Sequence, residues 1–253
     1  MASAAATAQD LSQAFKAISD ARYANKEFSP EPVPAEVLQD LLQVTLRAPS
    51  AFNVQPYKAL VINSPQSKQL LSKAMLSTNK KRVLDAGATV VFAADKNCMK
   101  DIGKVVDMFK EGGSNAAFVR KIPLYVAVFS SGHNRVLRPI MTFIKQVVFS
   151  IARRLGLELP PVNSAEAWAF KNTMLAVEAF MLAAAANGLA TCPMEGFDPR
   201  QLRKQFHIPR RYSVPVVVSI GYPKPSDRPL KQSRRFPPEQ VFYDNQWGQG
   251  MAF

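Results

Sequence analysis

Cysteine and histidine are scarce: the 253 residues hold two of each, Cys98 and Cys192, His133 and His207. The cysteines have neither metal-ligand spacing nor the number a disulfide framework needs, so a reducing compartment is the default. Two histidines cannot build a His-rich metal centre, and no metal is expected. Acidic residues are also few, with 19 Asp and Glu against 32 Lys and Arg, a net charge of +13. That balance favours anionic partners: nucleic acid, phosphorylated cofactors or acidic membrane. No apolar run reaches the roughly 18 uncharged residues of a spanning helix. The opening MASAAATAQ lacks the basic start and apolar core of a secretory signal. With no arginine before Arg22 it is a poor transit peptide as well. The expectation is a soluble protein, cytoplasmic by default. Missing too are G-x-S-x-G, H-E-x-x-H, the P-loop and G-x-G-x-x-G.

What is present is an ordinary globular composition, 47% hydrophobic, without internal repeats or a dividing linker. One domain over 1–253 is expected. Apolar spacing predicts helices at Leu11–Ala21, Ala35–Arg47 and Ser67–Met75. YKALVIN and SVPVVVSIGYP read as strands, and the unbroken apolar ATVVFAA as a strand covered on both faces. PLYVAVF, Pro123–Phe129, has strand composition, with an apolar helix as the alternative. Leu137 to Leu155 keeps helical apolar spacing among Arg138, Lys145, Arg153 and Arg154, a basic amphipathic helix within a segment at about 133–160. A long helix, apolar nearly all round, is opened by Ser164 and stopped at Asn187-Gly188. From about 223 to 253 a polar, proline-rich tail follows.

No nucleophile–base constellation stands out. Cys98 and Cys192 read as small buried hydrophobes, and Glu166 and Glu178 as solvent-facing charges. Polar and basic clusters remain in loops at helix ends: Arg22 to Lys26, Pro49 to Asn53, Asn79 to Arg82, Met194 to Gly196, and Ser233 to Arg235. Arginine and lysine recognise phosphate, and asparagine and backbone amides recognise the edges of a planar heterocycle.

In that order the clusters resemble the FMN-dependent nitroreductases. RYANKEF stands for an Arg-Arg-Ser-x-Arg/Lys-x-Phe motif, and APSAFNVQPYKALVI for Ala-Pro-Ser-x-x-Asn-x-Gln-Pro-Trp and a strand. NKKRVLDAGATVVF, then NGLATCPMEGFDP, IPRRYSVPVVVSIGYP and SRRFPPEQV, complete the match. It covers about residues 11 to 240 and is weakest from Asn97 to Pro161.

The resemblance implies an α+β fold with a mostly antiparallel central sheet flanked by helices and the long buried helix at a homodimer interface. It implies FMN as cofactor, NADH or NADPH as co-substrate, and a small planar electron acceptor. Arg22 and Arg234 or Arg235 are assigned to the FMN phosphate. Lys26 falls near the ribityl chain, beside Tyr23 and Ala24, and Asn79 and Arg82 near the isoalloxazine ring. Pro49, Ser50, Ala51 and Asn53 fall in the pocket loop, Phe52 towards substrate, and Asn172 near the flavin. The backbone of Glu195 and Gly196 is placed at flavin N5, with Pro193 and Met194 before it among the cofactor-binding residues, and no side chain is an obligate catalyst. Ala24 replaces the family's usual serine, and Ser233 stands where a basic residue is common, with Lys231 or Arg234 as substitutes. A nucleic-acid-binding role has no motif behind it, so no nucleic acid is expected. The basic helix at 137–155 is the candidate for a peripheral membrane contact.

Overall fold

The computed structural model describes residues 7–130, 138–159, 162–225 and 233–251. Leu137, His133 and Lys231 lie outside them, as do the side chains of Arg138 and Met141. The described chain runs α1 (Ala8–Ala21), α2 (Ala35–Thr45), β1 (Tyr57–Ile62), α3 (Pro65–Ala74), α4 (Asn79–Asp85), β2 (Ala88–Asp95) and α5 (Ile102–Glu111). It continues with α6 (Ala116–Ser130), α7 (Arg138–Arg154), α8 (Ala165–Ala186), β3 (Ala190–Met194), α9 (Pro199–Gln205) and β4 (Tyr212–Gly221).

The four strands form one antiparallel sheet in the order β1-β2-β4-β3. Every residue of β2 is buried, as its unbroken apolar run requires, because helices cover both faces. On one face Val90, Phe92, Val216 and Val218 pack against Leu38 and Leu41 of α2 and Val177 and Phe180 of α8. The Phe92 and Phe180 rings meet edge to face at 5.7 Å. On the other face Val91 and Val217 pack with Leu71 of α3, Val83 of α4, Leu202 of α9, and Cys192 and Met194 of β3. This is the expected α+β class with flanking helices.

Two elements depart from the simplest sequence reading. Pro123–Phe129 is helical, part of α6. Val119, Ile122, Val126 and Ser130 recur at helical spacing on its buried side, and that packing outweighs both the β-rich composition and an internal proline. Ala190–Met194 is a strand rather than loop, and it accommodates Pro193 because it lies at the sheet edge.

Helix α8 begins where the Ser164 side chain accepts the Ala167 N–H and ends with Gly188 at φ +69°, a left-handed C-terminal position that glycine adopts without strain. By length and composition it is apolar enough to cross a membrane, yet half of it is buried against α2 and the sheet. Its other side exposes Met174 and Leu175, and Leu11 and Phe15 of the adjoining α1 are exposed as well.

Candidate functional site

The carboxyl end of β3 delivers Met194 into the core, and Glu195 and Gly196 leave the sheet immediately after it. The Gly196 carbonyl accepts the Leu76 N–H at 3.0 Å and the Asn79 side-chain N–H at 3.1 Å. Asn79 opens α4, and its Oδ1 accepts from Arg82 one turn later. A Cβ on Gly196 would lie 2.8 Å from Asn79 Nδ2, so a larger residue here has to displace the Asn79 amide. Among the described residues the Gly196 N–H has no protein acceptor.

A cationic field surrounds the same strand. Lys26 Nζ lies 4.0 Å from Cys192 Sγ. Burial pushes the Cys192 thiol up, and the charges of Lys26 and Arg82 partly oppose it. Lys26 reaches this point because Ala24 bridges Thr191 and the Asn25 N–H donates to the Thr191 carbonyl at 2.8 Å. Thr191 Oγ1 and the Tyr23 hydroxyl are buried without partners among the described residues, an unusual pair beside one strand.

Arg22, Tyr23, Ser19, Asp20, Ser233 and Arg235 line a cleft of about 190 Å³. The cleft brings together the end of α1 and the C-terminal tail, as the motif order implies. Arg235 lines it, while Arg234 does not and offers only its carbonyl to Arg235 Nη1. The larger hollow of about 660 Å³ beside α9, lined by Arg200, Arg203, Lys204, Ile208 and Arg210, shares no residue with either group.

The Pro49–Asn53 loop sits elsewhere. Phe52, Asn53 and Gln55 all have φ near +50°, a costly run for residues other than glycine. Among the bonds that hold it, Ala51 N–H donates to Asn172 Oδ1 at 2.7 Å, and Gln55 N–H to Ser50 Oγ at 2.9 Å. Asn172 Nδ2 donates to the Trp168 carbonyl, so this buried side chain ties the loop to a carbonyl of its own helix α8. Phe52 stacks on Tyr125 at 6.0 Å and meets Phe129 at 5.5 Å. Ala51 and Phe52 thus pack with α6 and α8, whereas Asn79 and Arg82 stand on α4, on the other side of the sheet. Within one chain, Ser50 and Asn53 do not meet Asn79.

Residues 20–222 match the sequence profile of the Nitroreductase family. The chain belongs to this family of oxidoreductases. It is 28% identical over 208 residues to the oxygen-insensitive NAD(P)H nitroreductase of Salmonella typhimurium, covering 79% of this chain and 85% of the relative. It is 26% identical over 217 residues to the NADH dehydrogenase of Thermus thermophilus, covering 85% and 88%. In structure it resembles a nitroreductase family protein of Streptococcus pneumoniae, TM-score 0.68 at 19% identity over 91% of this chain and 99% of the other. An Exiguobacterium sibiricum protein solved in complex with FMN gives TM-score 0.67 at 21% identity, over 90% and 95%. The nitroreductase fold expected from the motifs is the fold observed.

Sequence reasoning does not single out Thr191 or Ser19, and it names Ser233 only as standing where a basic residue is common. Ser19 was legible in principle, one helical turn before Arg22. Thr191 was not, because its place depends on the bridge to Ala24.

Proposed function

We propose that this chain is an FMN-dependent oxidoreductase that takes hydride from NADH or NADPH and passes it to a nitroaromatic, quinone or similar planar acceptor, alternately in one pocket. Asn79 and Arg82 at the Gly196 turn, with Lys26 beside Cys192 in the strand before it, carry this reading. The residues fit the cofactor: a two-arginine cleft suits a phosphate, and the Gly196 N–H has no acceptor among the described residues. FMN held there would supply a hydride acceptor and donor at N5.

The chain's own part is positioning and electrostatics. Arg22 and Arg235 bind the phosphate. Lys26 and Arg82 stabilise negative charge along the ring's polar edge. Asn79 fixes the Gly196 carbonyl and so steadies the turn after β3, in which the Gly196 N–H of the preceding peptide is the donor. Glu195 contributes its backbone rather than its carboxylate. No side chain has to transfer a proton, in keeping with the missing triad.

The protein is a homodimer on this reading. The strained Pro49–Asn53 loop is remote from Gly196 in its own chain, and exposed Leu11, Phe15, Met174 and Leu175 offer an apolar face at α1 and α8. A second copy would present its loop, with Phe52 and Asn53, above the first copy's ring site.

The test is spectroscopic first. The purified protein takes up FMN, shows a perturbed flavin absorption band, and is bleached anaerobically by NADH or NADPH, with colour restored by menadione or a nitrofuran. A protein that stays colourless after incubation with FMN sinks the proposal. Light scattering reads the dimer independently.

A further inference from the structure

Helix α7 lies on the body of the protein the wrong way round. At 100° per residue, Ile140, Phe143, Ile144, Val147, Val148, Ile151 and Leu155 share one face about 140° wide. All are exposed, from 43% at Val147 to 77% at Leu155. The partly covered side is instead Thr142, Lys145, Phe149 and Ala152. Lys145 is turned inwards, where its ammonium donates to the Ala127 carbonyl of α6 at 3.1 Å. A surface helix normally does the opposite, and a continuous exposed apolar face marks a contact surface.

The charge around that face names the occupant. From 112 to 157 the sequence has Arg120, Lys121, Arg135, Arg138, Lys145, Arg153 and Arg154, and not one Asp or Glu. Arg120 and Lys121 of α6 are exposed, and so are Arg153 and Arg154 at the end of α7. Apolar residues on one face with cations only around them are what an anionic bilayer surface binds: the apolar row enters the headgroup–acyl boundary while the cations meet lipid phosphate and carboxylate. Two copies of this chain apposed through α7 would instead bring cation against cation.

We propose that α7 is an interfacial helix that seats the protein on an anionic lipid surface. Phe143, Val147 and Ile151 point into the lipid, and Arg153, Arg154, Arg120 and Lys121 lie at headgroup level. The surface stands apart from the flavin reading, because its test measures partitioning and not turnover.

The experiment is flotation of the full-length, FMN-loaded protein with vesicles of phosphatidylcholine alone and of phosphatidylcholine with phosphatidylserine. The expected result is flotation with the phosphatidylserine vesicles, falling as salt rises, and none with phosphatidylcholine alone. Each of Arg153→Ala and Arg154→Ala weakens partitioning about fivefold. Val148→Glu with Ile151→Glu abolishes it. Those side chains are exposed, so the thermal midpoint and FMN content of the double variant stay those of the parent. Failure to float with phosphatidylserine vesicles at low salt overturns the proposal, as does flotation that survives Val148→Glu with Ile151→Glu. A parent that does not float but loses native mass in the double variant assigns the face to a second copy, and overturns it equally.

Discussion

Replacing Gly196 with alanine tests the centre of the site with a single methyl group. The backbone angle at Gly196 is not left-handed, so the cost is one of space alone. The new Cβ would stand 2.8 Å from Asn79 Nδ2, well inside ordinary contact, and the next atoms, Asn79 Cγ and Leu76 Cβ, are at 3.9 and 4.0 Å. The Asn79 amide is therefore the part that must move. Moving it breaks the 3.1 Å bond to the Gly196 carbonyl and disturbs the bond from Arg82 to Asn79 Oδ1. One neutral and one charge-assisted bond together amount to about 2–3 kcal/mol, which lowers FMN affinity roughly 30- to 150-fold. Flavin fluorescence on titration reads the dissociation constant. In an Asn79→Ala background the obstruction is gone, so adding Gly196→Ala costs little more, a non-additivity of about 2–3 kcal/mol. Glu195→Gln keeps FMN and most activity. Unchanged FMN affinity in Gly196→Ala, or strict additivity with Asn79→Ala, would refute this reasoning.

Arg22→Ala and Arg235→Ala each lower FMN affinity by about 1.5–3 kcal/mol, while Arg234→Ala, outside the cleft, leaves titrations nearly unchanged. Burial holds the Cys98 and Cys192 thiols above their ordinary value of 9.0. The unfolded chain therefore ionises first as pH rises through that value, and native stability falls, by up to about 1.4 kcal/mol per pH unit and thiol. Melting curves from pH 8 to 10 show a shallower decline in Cys98→Ala with Cys192→Ala than in the parent. Arg211 pairs with Asp95 and Asp101, and Arg211→Ala leaves the buried Asp95 unpaired. Urea unfolding loses about 2–3 kcal/mol, below the full cost of breaking a buried pair because the arginine is partly exposed. Arg211 also holds the Asp101 carboxyl below its usual range, so the parent loses this stabilisation as pH falls through the carboxylate range and Arg211→Ala loses less.

The sheet was legible in the sequence where strands were long and continuously apolar, as in ATVVFAA and SVPVVVSIGYP. PLYVAVF misled because β-branched and aromatic residues also suit a buried helix face, and only the Val119-Ile122-Val126 spacing across the proline tells them apart. Ala190–Met194 gave almost no periodic signal: five residues containing a proline become a strand only because β4 and Ala24 lie alongside. The Asn79, Arg82 and Gly196 cluster was visible as ordered motifs. The role of Asn172 was not, because its side chain faces a loop more than 100 residues earlier whose conformation no local pattern predicts. Resemblance set Ser50 and Asn53 beside the flavin, but it could not say that their own chain keeps them on the far side of its sheet.

Arg22 belongs to the first turns of the chain and Arg235 to its last, yet one cleft holds both. The two arginines therefore meet only when folding closes a loop of more than 200 residues, and a break anywhere between them leaves each fragment with one of the pair.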